Sequence, residues 1–126
     1  MRTETKLKIL IVDDEELNRE LFTDLFEDDD QVEVVSCPDG MQALSALKEF
    51  NPDVVLLDIM MPGMDGYEVC AKLRENSTDK SPKIIMLTGL VGQEVEDRSR
   101  ECGADRVYFK PINISSLHEE VMSLLI

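Results

Sequence analysis

The segment Leu7-Lys8-Ile9-Leu10-Ile11-Val12-Asp13-Asp14 decides the fold, because a short and almost wholly apolar run stops abruptly at two carboxylates. A strand with one wet face alternates apolar and polar residues, whereas this run reads as a strand covered on both faces by helices. The same signature returns at residues 54–57 before Asp58, at 83–87 before Thr88 and at 106–109 before Lys110. Residues 32–36 carry Glu33 among valines and read as an edge strand of the same sheet.

Between these runs, apolar residues recur at helical spacing. The stripes are Leu17, Leu21, Phe22, Leu25 and Phe26; Met41, Leu44, Leu47 and Phe50; Cys70 and Leu73; and Ile114, Leu117, Val121, Leu124 and Leu125. Each stripe is expected to face the core. Asp39 with Gln42, and Asp65 with Glu68, have the spacing of capping boxes, while Asn51-Pro52 and Gly103 read as helix stops. Residues 92–102 make the weak helix: only Val95 and Cys102 are apolar anchors among charged side chains, so this element is a candidate for movement. Short strands alternating with single helices, with no linker between them, predict an α/β class and one domain over residues 1–126, with 1–6 as an N-terminal tail.

Composition narrows the function. The chain has 13 Lys plus Arg against 27 Asp plus Glu, a formal net charge of −14, which weighs against phosphate backbones and anionic membrane surfaces. Its apolar runs are far shorter than the ~20 residues that span a bilayer, or than a signal-peptide core, so a cytoplasmic location is expected. Cys37, Cys70 and Cys102 lie more than thirty residues apart and lack zinc-site spacing; they read as small reduced core residues. His118 is the one histidine and reads as a half-buried or solvated helix residue.

Strands joined by single helices run parallel, so their C-terminal ends share one edge of the sheet, where open α/β folds place ligands. Asp13, Asp14, Asp58, Thr88 and Lys110 all follow strands and should converge there. Two carboxylates about 4 Å apart repel by about 4 kcal/mol at an effective dielectric near 20, so the cluster must take up protons or hold a cation. Oxygen ligands around a partly open position suit Mg²⁺. Three carboxylates, Mg²⁺ and Lys110 balance to zero charge, which lets a phosphoryl group approach without a large electrostatic barrier. A carboxylate can itself act as nucleophile and form an acyl phosphate. Gly63 and Gly66 follow a strand without forming a dinucleotide fingerprint or a P-loop, so nucleotide binding has little support.

The run from Ile9 to Glu15, the segment Leu57-Asp58-Ile59-Met60-Met61-Pro62-Gly63-Met64-Asp65-Gly66, the Thr88-Gly89 pair, and Gly103-Ala104-Asp105 leading to Lys110-Pro111 occur in an order that spans the chain. Together they resemble the receiver domain of two-component response regulators. The resemblance implies a doubly wound, flavodoxin-like sheet of five parallel strands in the order 2-1-3-4-5, with five helices on both faces. It implies that Asp58 accepts a phosphoryl group from the phosphohistidine of a sensor histidine kinase or a histidine phosphotransfer protein. Asp13, Asp14, Asp58 and the backbone carbonyl of Met60 would hold Mg²⁺, and Thr88 and Lys110 would contact the phosphoryl oxygens. Gly89 would leave access open, and Lys110-Pro111 is expected to be cis. On this reading the chain is a signalling phosphoacceptor that promotes only its own phosphorylation and dephosphorylation. Its output face would be the fourth helix, fifth strand and fifth helix, with the output partner unassigned and a phosphorylation-dependent homodimer as one open form. With one histidine and no kinase motif, the donor is expected to lie outside these residues.

One position departs from the pattern. Where many relatives carry a switch Tyr or Phe this chain has Val107, and Tyr108 follows on the opposite face of the strand, where it is expected to pack with its hydroxyl partnered. The alternative function is a Mg²⁺-dependent phosphatase or phosphotransferase with an aspartyl-phosphate intermediate. Such enzymes usually place a second acid two residues after the nucleophile, and here that residue is Met60, which cannot serve as acid or base. Nothing in the sequence reads as an output segment, so a stand-alone regulator and part of a longer chain both stay open.

Overall fold

Five strands, β1 (Leu7–Val12), β2 (Val32–Cys37), β3 (Val54–Asp58), β4 (Lys83–Thr88) and β5 (Arg106–Phe109), form one parallel sheet in the order β2-β1-β3-β4-β5. The helices between and after them are α1 (Glu16–Glu27), α2 (Gly40–Phe50), α3 (Gly66–Asn76), α4 (Gln93–Cys102) and α5 (Ile114–Met122), followed by a short 3₁₀ turn at Ser123–Leu125. This computed structural model describes residues 6–77 and 81–125, so most of the expected 1–6 tail lies outside the described residues. The strand order is that of the flavodoxin-like, doubly wound fold.

Alternate residues of the central strands point to opposite faces and build two cores. On one face Leu10, Val12, Val55, Leu57, Ile84 and Met86 pack with α2, α3 and α4 through Leu47, Val69, Leu73 and Val95. On the other, Ile9, Ile11, Leu56 and Ile85 pack with α1 and α5 through Phe22, Phe26, Leu117 and Val121. Every residue of β3 is buried, whereas β2 exposes Glu33, as an edge strand should.

Three of the expected core contacts do not form. Leu17 is 79% exposed, Leu21 51% and Met41 69%. The buried face of α1 centres on Phe22 and Phe26, and Leu17, five residues before Phe22, falls about 140° round the helix from it. The α2 face is set by Gly40, Ala43 and Leu47, which turns Met41 outward. Leu124 also reaches solvent, and the side chain of Leu125 lies outside the described residues.

The helix ends follow local chemistry. Asp39 caps α2 by accepting from the Gln42 N–H at 2.9 Å, and Asp65 caps α3 by accepting from the Glu68 N–H at 3.0 Å. Asn51 and Gly103 end α2 and α4 in the left-handed conformation. Among the residues of α4 only Val95 and Ser99 are buried, and its Gly92 cap supplies no side-chain hydrogen bond. A contact that the apolar pattern does not reveal helps to hold it, the Arg98 guanidinium lying 4.0 Å from the centre of the Tyr67 ring.

Candidate functional site

Strand register brings the candidate residues together. Val12 pairs with Leu57, so Asp13 and Asp58 leave neighbouring strands at the same level. Asp58 pairs with Leu87 and Thr88 with Phe109, which sets Thr88 one step and Lys110 two steps further along the same edge. Asp58 and Thr88 are themselves the last residues of their strands, one beyond the apolar runs, so ladder hydrogen bonds hold both backbones. The start of α3 closes against this edge. The Gly66 N–H donates to the Ile59 carbonyl at 2.8 Å, and a Cβ on Gly66 would fall 2.5 Å from the Asp58 carbonyl oxygen. Glycine is needed there for backbone approach.

The strand ends open on a cavity of about 260 Å³ lined by Asp14, Glu15, Asp58, Met60, Gly89 and Lys110. The Lys110 Nζ stands 3.8 Å from Asp58 Oδ1. Asp13 is buried behind the cavity with Oδ1 accepting from the Glu15 N–H at 2.9 Å, while Arg19 donates to the Asp13 carbonyl at 2.7 Å. One carboxylate oxygen from each of Asp13, Asp14 and Asp58 lies within 4.8 Å of the others. Three hard oxygen donors, two of them buried and Asp14 open to solvent, fit a small divalent cation.

The electrostatics agree with that donor set. Burial pushes the Asp58 carboxyl up to about 6, the charge of Asp13 adds to this, and the Lys110 ammonium and Met60 N–H oppose it. Burial also raises Asp13, against the hydrogen bond from the Glu15 N–H. The cluster therefore carries an uncompensated preference for positive charge, which protons or a cation can meet.

Thr88 is brought to this edge but is not among the residues that line the cavity. It is buried, and its Oγ1 accepts from the Leu90 N–H at 2.9 Å, tying the hydroxyl to the loop that leads into α4. Gly89 has nothing within 4 Å of where a Cβ would be, so the mouth stays open there. The Lys110-Pro111 peptide is cis. Tyr108 packs on the α1 and α5 side and donates to Glu120 Oε1 at 2.5 Å, while Val107 lines a shallow groove between α4 and β5 with Glu96, Ser99 and Arg100. His118 is half-buried, stacked on Phe26 at 5.5 Å between centroids. Sequence reasoning missed Glu15 as part of the wall and Arg19 as the clamp on Asp13. Glu15 follows the Asp pair directly and could have been found; the reach of Arg19 had no sequence signal.

Residues 9–122 match the response regulator receiver domain family. Among solved structures, Vibrio cholerae chemotaxis protein CheY4 superposes with a TM-score of 0.85 at 29% identity, covering 97% of this chain and 100% of that one. The receiver domain of Francisella response regulator 1452 gives 0.84 at 28% identity, covering 95% and 97%. A curated relative, a protein-glutamate methylesterase/protein-glutamine glutaminase of Cupriavidus pinatubonensis, is 45% identical over 65 residues, which are 51% of this chain and only 18% of that protein.

Proposed function

This chain belongs to the response regulator receiver domain family, and on that premise we propose that it is a phosphorylation switch whose acceptor is Asp58. The observation that carries this reading is a buried, ladder-held carboxylate at the floor of an open cavity, with an ammonium 3.8 Å away and two more carboxylates beside it. An Asp58 oxygen attacks the phosphorus of a phosphohistidine, the donor's P–N bond breaks, and the leaving imidazole nitrogen takes a proton. Lys110 faces the charge that gathers on the phosphoryl oxygens. Asp13, Asp14, Asp58 and the Met60 carbonyl would hold Mg²⁺, which when bound supplies neutralisation of the same oxygens.

Thr88 links this chemistry to the rest of the molecule. Its hydroxyl accepts from the Leu90 N–H and keeps its own proton to donate to a phosphoryl oxygen, so a shift of the side chain toward that oxygen loosens the bond from Leu90. The loop before α4 is thereby released, and α4 has few buried residues to resist. The output face is then α4, β5 and α5, with Val107 in its groove.

The donor is a protein, a histidine kinase or a histidine phosphotransfer protein. Leu17 and Leu21 stand exposed on α1 just behind Glu15 at the rim, and Met60 is exposed across the cavity. Apolar side chains around an acidic opening suit a docked protein better than a small anion. The phosphatase alternative has no support from Met60, which is apolar and faces solvent where a second acid would be required.

A small phosphodonor with Mg²⁺ should add one phosphoryl mass to the wild type and none to Asp58→Asn, and an acid-stable phosphate retained in the variant overturns the assignment. Leu17→Asp should slow transfer from a phosphohistidine protein about tenfold, a change of about 1.4 kcal/mol, and leave labelling by the small donor unchanged.

A further inference from the structure

The third and fourth helices meet at two sulfurs that the candidate site does not use. Cys70 is fully buried on α3, and its thiol donates to the backbone carbonyl of Cys102 at 3.3 Å. Cys102 is the last residue of α4, half-buried, and its Sγ donates to the Ser99 carbonyl at 3.2 Å. The neighbouring Arg74 guanidinium holds the Gly103 carbonyl at 2.8 Å, which fixes the end of α4 against α3 and places a permanent positive charge beside the pair.

We propose that Cys70 and Cys102 form a peroxide-reactive dithiol, with Cys102 attacking a hydroperoxide and Cys70 closing a disulfide that ties α3 to the end of α4. The two thiols divide the work by position. Cys102 is half-buried and Cys70 fully buried, so an oxidant reaches Cys102 first. Acidity divides them the same way. The contact between the two thiols, with the Ala104 N–H and Arg74, favours the Cys102 thiolate, whereas the same contact and burial push Cys70 up. The thiolate is the nucleophile, so the thiol that ionises more readily is the one that attacks.

In the first step the Cys102 sulfur attacks the nearer peroxide oxygen and the O–O bond breaks. The distal oxygen leaves as water or alcohol with one proton, and Cys102 becomes a sulfenic acid. In the second step the Cys70 sulfur attacks the Cys102 sulfur, the S–O bond breaks, and the hydroxyl leaves as water with the Cys70 proton. The hydroperoxide is reduced by two electrons and the two thiols are oxidised by two. Cys102 Sγ must give up the Ser99 carbonyl to make the bond. The third thiol has no such partner: Cys37 is buried at the end of β2, where burial pushes it up to about 11.

The test uses the full chain, first reduced and then exposed to hydrogen peroxide at neutral pH, quenched with an alkylating reagent and read by intact mass and peptide mapping. The expected product has lost two hydrogens, contains a Cys70–Cys102 linked peptide, returns to the dithiol with dithiothreitol and keeps Cys37 alkylatable. Cys70→Ser should stop at a sulfenic acid on Cys102 that dimedone traps. Should that variant fail to fold, the wild-type map decides alone. Oxidation of Cys102 to a sulfinic acid without the link, a link through Cys37, or a disulfide between two chains each overturns the proposal. The readout does not involve Asp58, so failure here leaves the phosphoacceptor reading intact.

Discussion

Neutralising Asp58 should stabilise the metal-free chain above about pH 6 and add little near pH 4. Burial, and after it the charge of Asp13, lifts this carboxyl from 3.8 to about 6 in the folded state. A carboxyl that binds its proton more tightly when folded makes stability fall as pH rises, and the loss is complete once pH exceeds the folded value. A rise of about two pH units corresponds to about 3 kcal/mol. Asp58→Asn removes this penalty, in which the attraction of Lys110 is already included, at nearly constant shape but leaves an amide to be desolvated in its place, which returns part of the gain. A net gain of about 2 kcal/mol is therefore expected above pH 6, fading between about pH 6 and 4. Urea unfolding of both proteins in chelator across that range measures it, and subtracting the two curves cancels the carboxylates that do not face Asp58. A divalent cation should stabilise the wild type and leave the variant nearly unmoved. A difference that stays constant from acid to neutral pH would refute the claim that a buried, charge-crowded Asp58 sets this balance.

Gly66→Ala should cost about 2 to 4 kcal/mol in a denaturant melt, because its Cβ meets backbone atoms of Asp58 and Ile59 at 2.5 and 2.6 Å that cannot yield. Gly89→Ala should change stability by less than about 0.5 kcal/mol, since nothing lies within 4 Å of its Cβ. Arg74→Ala, which loses bonds to the Gly103 and Pro82 carbonyls and to Asp105, should cost about 1 to 3 kcal/mol and speed amide exchange at the end of α4. Thr88→Val keeps the shape but not the acceptor, so the Leu90 amide should exchange several-fold faster while its neighbours on β4 stay protected.

The fold was legible wherever burial dictated residue type. Strands covered on both faces must be apolar throughout, and β1, β3 and β4 could be read almost to the residue, as could the Asp39 and Asp65 caps and the Asn51 and Gly103 stops. The reading failed where an amphipathic stripe is wider than the face a helix buries. Leu17, Leu21 and Met41 fit helical spacing, yet sheet curvature and the large Phe22 and Phe26 rings choose which side of the helix turns inward, and a periodicity does not encode that choice. Surface leucines on α1 are evidence of what the helix meets outside, which is why they support a docked donor.

The site was legible for a different reason. In a parallel sheet the residue after each strand is placed by register alone, so Asp13, Asp58, Thr88 and Lys110 could be assigned to one edge without any side-chain geometry. Their orientations could not, because each depends on a rotamer and a partner contributed from elsewhere. Thr88 is the clearest instance: it belongs to the edge but spends its acceptor on Leu90. That single bond bears on how the proposed switch would work in a chain with Val107 on β5. Tyr108 is committed to Glu120 on the far face, and a ring cannot cross the sheet, so Tyr108 cannot report the state of Thr88, whereas Phe109 pairs with Thr88 in the sheet and packs on the Val107 side. The loop from Thr88 to α4 and the step from Lys110 into α5 are both covalent routes from the cavity toward the proposed output face, and the first hydrogen bond of the former is the one the Leu90 N–H gives to the Thr88 hydroxyl.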